Sequence, residues 1–347
     1  MKIRLKFIQA DDGYRATFIT GGRCGLLLNR EREGVVYFNY SDGDGEPVPI
    51  PYADRRKNIY IPFNLPSGVW VTVVSKSPVL NAVVSGDAML YPHVDPNQKS
   101  YPNAVQDYDG NWYDAIIIGD QVWLAENLRS KHYTDGTAIP EGGETTSNDT
   151  PYYYMPYYSV YNDKKDGLLY NWPAVMHGEN SSQENPSGVQ GIAPNDWHVP
   201  SIAEWTEFTD YISTQSSYIA GGDSDHIAKS LAATYGWTQS NIADSPGNNQ
   251  STNNATGFNA IPVGIFPYGS FGLVAAFTST NIRVNSNDDC ICFYVEYNVA
   301  NSYTRYVYKY NGKSVRCICD KTPAAFAEWY VKTYKTTNHK VQNKYAE

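Results

Sequence analysis

The chain has 347 residues, long enough for two domains with separate cores, and 41% of them are hydrophobic against only 18% charged. A net charge of -9, with 27 Lys and Arg against 36 Asp and Glu and no dense basic cluster, excludes a nucleic-acid footprint. No stretch approaches the ~20 apolar residues of a membrane span, so membrane insertion is not expected.

Met1 to Phe7 alternates charge with hydrophobe, lacks the apolar run of a signal peptide, and reads as an edge strand. Further short runs at Tyr14 to Ile19, Gly34 to Tyr40, Asn58 to Phe63 and Val69 to Val74 are separated by Gly-rich and Pro-rich turns. Residues 1–95 are therefore expected to form a small all-β domain, a sandwich of about six strands serving attachment or oligomerisation. Pro92, Pro96 and Pro102 then mark a linker over 96–106.

A second domain is expected over 107–320. Asp109-Gly110 and Gly119-Asp120 sit where successive hairpins turn. Asp107 and Asp109 imitate a calcium loop, but the EF-hand spacing does not continue and no Glu closes it. The clearest helix runs from Pro200 to Ile212: Ser201 caps it, Glu204 takes the capping-box position, and Trp205, Phe208 and Ile212 share one face. A second short helix is expected over His226 to Tyr235, then strands at Cys290 to Val299, Tyr303 to Tyr310 and Ser314 to Cys319. Phe326, Trp329, Tyr330 and Tyr334 recur at helical intervals, making 321–347 a C-terminal helical tail that docks on its own protein or a neighbour.

Five cysteines are present, Cys24 and two Cys-x-Cys pairs, Cys290/Cys292 and Cys317/Cys319. The spacing is not that of a zinc knuckle. Alternation puts each pair on one strand face, so neighbouring strands would bring four sulfurs together, as a disulfide or as buried free thiols.

Tyrosine is the unusual count, 30 residues. It suits binding surfaces, being large, amphipathic and cheap to order, and equally suits half-buried strands. The stretch Tyr268 to Tyr310 interleaves it with Asn, Ser, Asp and Arg. Tyr268, Phe271, Asn281, Arg283, Asn285, Asn287, Tyr294, Tyr297, Asn298, Asn301, Tyr303 and Arg305 are accordingly the candidate ligand-binding residues.

Six phrases in the second domain resemble the Fibrobacter succinogenes major paralogous domain family. They are Trp123-Leu124-Ala125-Glu126-Asn127-Leu128, Thr134 to Pro140, Leu169-Tyr170-Asn171-Trp172, Ala193 to Ser201, Gly257-Phe258-Asn259-Ala260-Ile261-Pro262 and Ser314-Val315-Arg316-Cys317. The resemblance implies an α+β fold of the C-type-lectin-like kind, related to the formylglycine-generating enzyme and to retroelement-diversified variable proteins. Where family members usually carry paired Trp, this chain has Ala275-Ala276, which predicts a shallow concavity there. Asn, Tyr, Ser and Asp are also the residues reached from Asn codons by adenine-directed mutagenesis, making 268–310 a candidate diversified region.

No catalytic residue is expected. Trp123, Glu126, Asn127, Trp172, Trp197 and His198 invite an active-site reading, yet His198 beside Trp197 fits a hydrogen-bonded structural role, and Glu126-Asn127 fit loop anchors. No cofactor is expected, with structural calcium as the alternative. The expected function is non-catalytic surface recognition by a bacteriophage virion protein, a fibre or capsid decoration, that binds a host surface glycan or protein. Its partners would be other virion proteins and further copies of itself, as a homo-oligomer such as a trimer. The alternatives are a secreted bacterial adhesin or glycan-binding module and, third, an enzyme of the formylglycine-generating type.

Overall fold

A computed structural model of the chain describes residues 99–156 and 166–330 with their side chains, and the backbone of eight strands between Lys2 and Tyr91. It divides into two units, Met1–Asn97 and Gln98–Glu347.

In the first unit the strands are β1 (Lys2–Arg4), β2 (Ile8–Ala10), β3 (Gly13–Asn29), β4 (Val36–Tyr40), β5 (Val48–Ile50), β6 (Ile59–Asn64), β7 (Trp70–Ser75) and β8 (Asn81–Tyr91). All pairings are antiparallel, and the 17-residue β3 pairs with four of the other strands, β2, β6, β7 and β8. One edge of β3 takes β7 along Tyr14–Ile19 and then β6 along Arg23–Leu28, while β8 follows the other edge. The register shifts between Thr20 and Cys24, where Gly21-Gly22 accommodate the extra residues. Of the edge strand expected from Met1 to Phe7, Lys2–Arg4 is described as β1, which pairs with β8.

The second unit mixes a few helices with antiparallel sheets, an α+β arrangement. A five-stranded sheet, in the order β14-β18-β11-β10-β9, joins β9 (Ser100–Gln106), β10 (Trp112–Ile118), β11 (Gln121–Leu124), β14 (Trp197–His198) and β18 (Ile318–Cys319). The expected linker is thus mostly strand: β9 pairs with β10, and Tyr101 and Val105 are buried. Two small elements, β12 (Tyr153–Tyr154) and β13 (Leu169–Tyr170), pair with each other ahead of helix α1 (Trp172–Met176). A three-stranded sheet is formed by β15 (Val274–Ile282), β16 (Asp289–Glu296) and β17 (Tyr303–Tyr308).

Helix α2 (Ile202–Ser213) has the expected capping box: Ser201 Oγ accepts from Glu204 N, and the Glu204 carboxylate accepts from Ser201 N at 2.9 Å. Its buried face carries Trp205, Phe208 and Ile212 into an aromatic core between the two larger sheets. Trp205 stacks on Phe293 with centroids 4.4 Å apart and meets Trp123 at 4.5 Å. The helix expected over His226 to Tyr235 is shorter. Helix α3 covers only Ala228–Leu231, because Ala233 N donates to Ala260 O, and Leu231 O accepts from Ala260 N, instead of continuing the helical ladder.

The hairpin turns fall at the expected places, and their carboxylates are used within the fold. Asp107 accepts from Tyr113 Oη at 2.6 Å and Asn111 N at 2.9 Å. Asp109 accepts from Ser130 Oγ, Lys131 N and His132 N and pairs with His132 Nδ1.

Residues 323–330 are helical and return to their own unit. Phe326 is fully buried, edge-on to Tyr101 and Trp197, and Tyr330 Oη donates to Pro102 O at 2.7 Å. Tyr334 lies outside the described residues.

Candidate functional site

Strand alternation in the three-stranded sheet decides what each face does. Ala275, Phe277, Phe293 and Val295 turn into the Trp205 core. Ala276, Cys290, Cys292 and Tyr294 turn the other way, into a second cluster with Ile265 and Val274. Both faces of β16 are therefore covered. Ala275 and Ala276 are wholly buried, so the concavity expected at that pair is absent; the small side chains admit close packing on either face.

The open feature lies beside this sheet. Among the described residues strand β17 pairs only with β16, and it exposes Tyr306 and Tyr308, which are 56% and 49% accessible. Together with Tyr268, 61% accessible, they edge a groove of about 630 Å³ that Tyr294, Glu296 and Arg305 also line. Two guanidinium groups are laid over rings here, Arg283 over Tyr306 at 4.8 Å and Arg305 near Tyr294 at 6.0 Å. Arg283 is also held by Asp289 at 3.3 Å. Arg305 is exposed and makes no ion pair among the described residues.

Three phenols in and beside the groove, those of Tyr294, Tyr303 and Tyr310, are pushed above their ordinary value. Burial raises the Tyr294 hydroxyl above its ordinary value, and burial with a hydrogen bond to Glu296 does the same for Tyr303. The hydrogen bond with Tyr268, 3.2 Å long, pushes Tyr310 up to about 12. Flat aromatic rings, two guanidinium groups and the Asp289 and Glu296 carboxylates can stack on a ligand and hydrogen-bond its polar edges.

Of the twelve residues singled out in the sequence, the groove brings together Tyr268, Arg283, Tyr294, Tyr297 and Arg305. Asn301 and Tyr303 line a second depression of about 440 Å³, beside Thr206, Thr209 and Asp210 of α2. Asn285 and Asn287 are exposed in the turn from β15 to β16, where Asn285 adopts φ +63°. Asn298 is exposed and Phe271 half-buried, and neither lines the groove. Asn281 is a correction: it is buried, and its side chain accepts from Ile202 N at 2.7 Å, so it anchors the start of α2. Sequence reading missed Leu273, Glu296, Tyr306 and Tyr308. Tyr306 and Tyr308 had a usable signal, since they alternate with Arg305 and Val307 along one edge strand.

The motif residues resembling an active site are bound into the scaffold. Arg316, fully buried, donates to Asn127 Oδ1, Leu124 O, Phe258 O and Asn259 O at 2.8 to 3.0 Å. Its guanidinium lies 4.6 Å from the Phe258 ring. Burial lowers its pKa to about 9. Trp172 Nε1 donates to Ser279 O, and Trp123 Nε1 to Gln121 Oε1. Glu126 pairs with Arg129 at 3.1 Å. His198 bridges Glu204 Oε1 and Asp320 Oδ1, each at 2.6 Å, while Trp197 packs on Phe326.

Among the described residues no group of three or more His, Cys, Asp or Glu is placed to hold a metal ion. One oxygen-rich cage is filled by an ammonium: Lys229 Nζ donates to the carbonyls of Asn248 and Asn249 and to Asn253 Oδ1. The two Cys-x-Cys pairs fall in different places, Cys290 and Cys292 on β16 and Cys317 and Cys319 in or next to β18, and all four are buried free thiols.

Fold and groove together define an α+β unit whose rigid sheets carry an aromatic and charged depression on one open edge. The model of the Fibrobacter succinogenes major domain matches residues 116–319, more than half of the chain, and the chain belongs to that family. Neither a curated protein nor a solved structure matches it.

Proposed function

We propose that the second unit is a C-type-lectin-like, non-catalytic recognition domain and that the groove along β17 is its ligand site. The observation carrying this reading is the cluster of Tyr268, Tyr306 and Tyr308, large exposed rings collected around Arg283 and Arg305 in one concavity. Tyr and Arg are common anchors of binding interfaces, and exposed aromatic surface otherwise costs solubility. The ligand favoured is a surface glycan, whose apolar sugar faces stack on phenol rings while its hydroxyls meet Glu296, Asp289 and the guanidinium groups. Individual contacts of this kind are weak, so binding would gain strength from several copies acting together.

Two settings expected from the sequence agree with this reading, the surface of a virion and the surface of a bacterium. A glycan array probed with the full chain tests the site. Binding that is reduced at least tenfold by Tyr306→Ala or Tyr268→Ala supports it. Undiminished binding by both variants, or by the Tyr294, Tyr297 and Tyr303 alanine variant as well, would move the site elsewhere.

A further inference from the structure

Beneath the groove, one feature has no part in ligand contact. Cys290, Cys292 and Lys313 are all fully buried. Lys313 Nζ donates to the Cys290 sulfur at 3.1 Å, and the Cys290 and Cys292 sulfurs lie 3.9 Å apart, within hydrogen-bonding distance. No carboxylate among the described residues pairs with this buried ammonium. A lysine enclosed in a core needs a counter-charge, and the group in reach is a thiol.

We propose that Cys290 and Cys292 form a buried dithiol oxidation site, in which Lys313 holds Cys290 as the reactive thiolate and Cys292 is the resolving thiol. The Cys290 thiolate attacks one oxygen of a hydroperoxide. The O–O bond breaks, the alkoxide or hydroxide leaves and takes a proton from solvent, and Cys290 becomes a sulfenic acid. The Cys292 sulfur then attacks the Cys290 sulfur. Its proton and the sulfenic hydroxyl leave as water, and an S–S bond remains.

The electrostatics agree with these roles. Burial works against a thiolate at Cys290, but the hydrogen bond from Cys292 and the charge of Lys313 outweigh it and bring the pKa to about 6. Burial and the Cys290 charge push Cys292 the other way, keeping its proton. The other pair makes an internal contrast: burial raises Cys317, and raises Cys319 to about 11. Geometrically, residues two apart on a strand have Cα atoms roughly 6.6 Å apart, near the upper end of what a disulfide spans, so closure must pucker β16 at Ile291. Lys313 Nζ also donates to Tyr308 O. Closing the disulfide removes the counter-charge of Lys313 next to a residue that lines the groove.

The chemistry does not rest on the ligand reading and is read out separately from it. The full native chain is treated with hydrogen peroxide at pH 7, denatured, alkylated with a maleimide and digested with trypsin. Residues 284–305 then carry Cys290 and Cys292, and residues 317–321 carry Cys317 and Cys319. The expected result is that the first peptide loses two hydrogens and becomes resistant to alkylation at least about tenfold faster than the second. Lys313→Met slows this about tenfold, and Lys313→Arg restores most of the rate. Should neither variant fold, the pH profile of the native chain decides: the rate persists down to about pH 6 instead of declining below pH 8. Equal oxidation of the two peptides, oxygen added to Cys290 without ring closure, or a cross-link to the segment carrying Lys313 would each overturn the proposal.

Discussion

Arg316 Nε donates to Asn127 Oδ1 at 2.9 Å, and this contact joins residues 189 positions apart in the sequence. The same guanidinium holds the carbonyls of Leu124, Phe258 and Asn259. Three of the family phrases thus meet at one buried cation, whose hydrogen-bond acceptors are an amide oxygen and three backbone carbonyls. Asn127 in turn donates to Asp166 O, extending the network to the next loop.

Replacing Arg316 by Met should therefore destabilise the second unit by about 3 kcal/mol or more, since several buried acceptors lose their donor at ~1–3 kcal/mol each. Asn127→Ala should cost less, because backbone acceptors keep the guanidinium partly satisfied. Denaturant unfolding of the full chain, followed by tryptophan fluorescence, checks the order of the two.

His198 predicts a pH dependence. Burial opposes its charge, but the carboxylates of Glu204 and Asp320 outweigh burial and raise its pKa above the ordinary value of 6.5. A raised histidine stabilises fully below the unfolded pKa, and that contribution is lost as pH rises through the folded pKa. Thermal unfolding of the second unit should shift down by about 2–4 °C per kcal/mol lost as pH is taken upward from 6.5. In His198→Gln this slope should flatten. An unchanged slope would assign the dependence to another group.

Lys229 fills an oxygen cage built from Asn248, Asn249 and Asn253. Lys229→Met removes the cation from oxygens that are only partly buried, that of Asn249 belonging to an exposed residue, and should loosen the 248–253 loop at a cost of about 1 kcal/mol. Faster amide hydrogen exchange at 248–253, with the α2 core unaffected, is the expected signature.

Arg305 is the groove cation without an ion pair among the described residues, whereas Arg283 is partly engaged by Asp289. Arg305→Gln should weaken ligand binding about tenfold without changing the melting temperature. Titration calorimetry with a glycan selected on the array separates the two effects. An equal loss of stability would make Arg305 a packing residue.

How much of this was legible beforehand varied with the range of the interactions. Helix α2 was readable because its cap, its capping-box acid and its apolar face lie within about three turns of each other. Helix α3 was overestimated, since Ala233 bonds to Ala260, a partner 27 residues away that local periodicity does not register. The expected linker failed for a similar reason: prolines at 92, 96 and 102 read as a break, yet Tyr101 is held by Phe326 and Tyr330 from the far end of the unit. In the candidate site, composition located the stretch 268–310 but could not sort it. Asn281 and Tyr306 look equally suited to a ligand, and only packing makes the first an anchor and the second an exposed ring.

The sequence alone determined the α+β character of the second unit, its family and the identity of its best helix, because these follow from short-range patterns and from six phrases in a fixed order. Tertiary structure alone decided which tyrosines face water, which cysteine meets a lysine and which arginine is enclosed. Those outcomes depend on contacts between residues tens to hundreds of positions apart, and burial sets both the exposure and the charge state of each group.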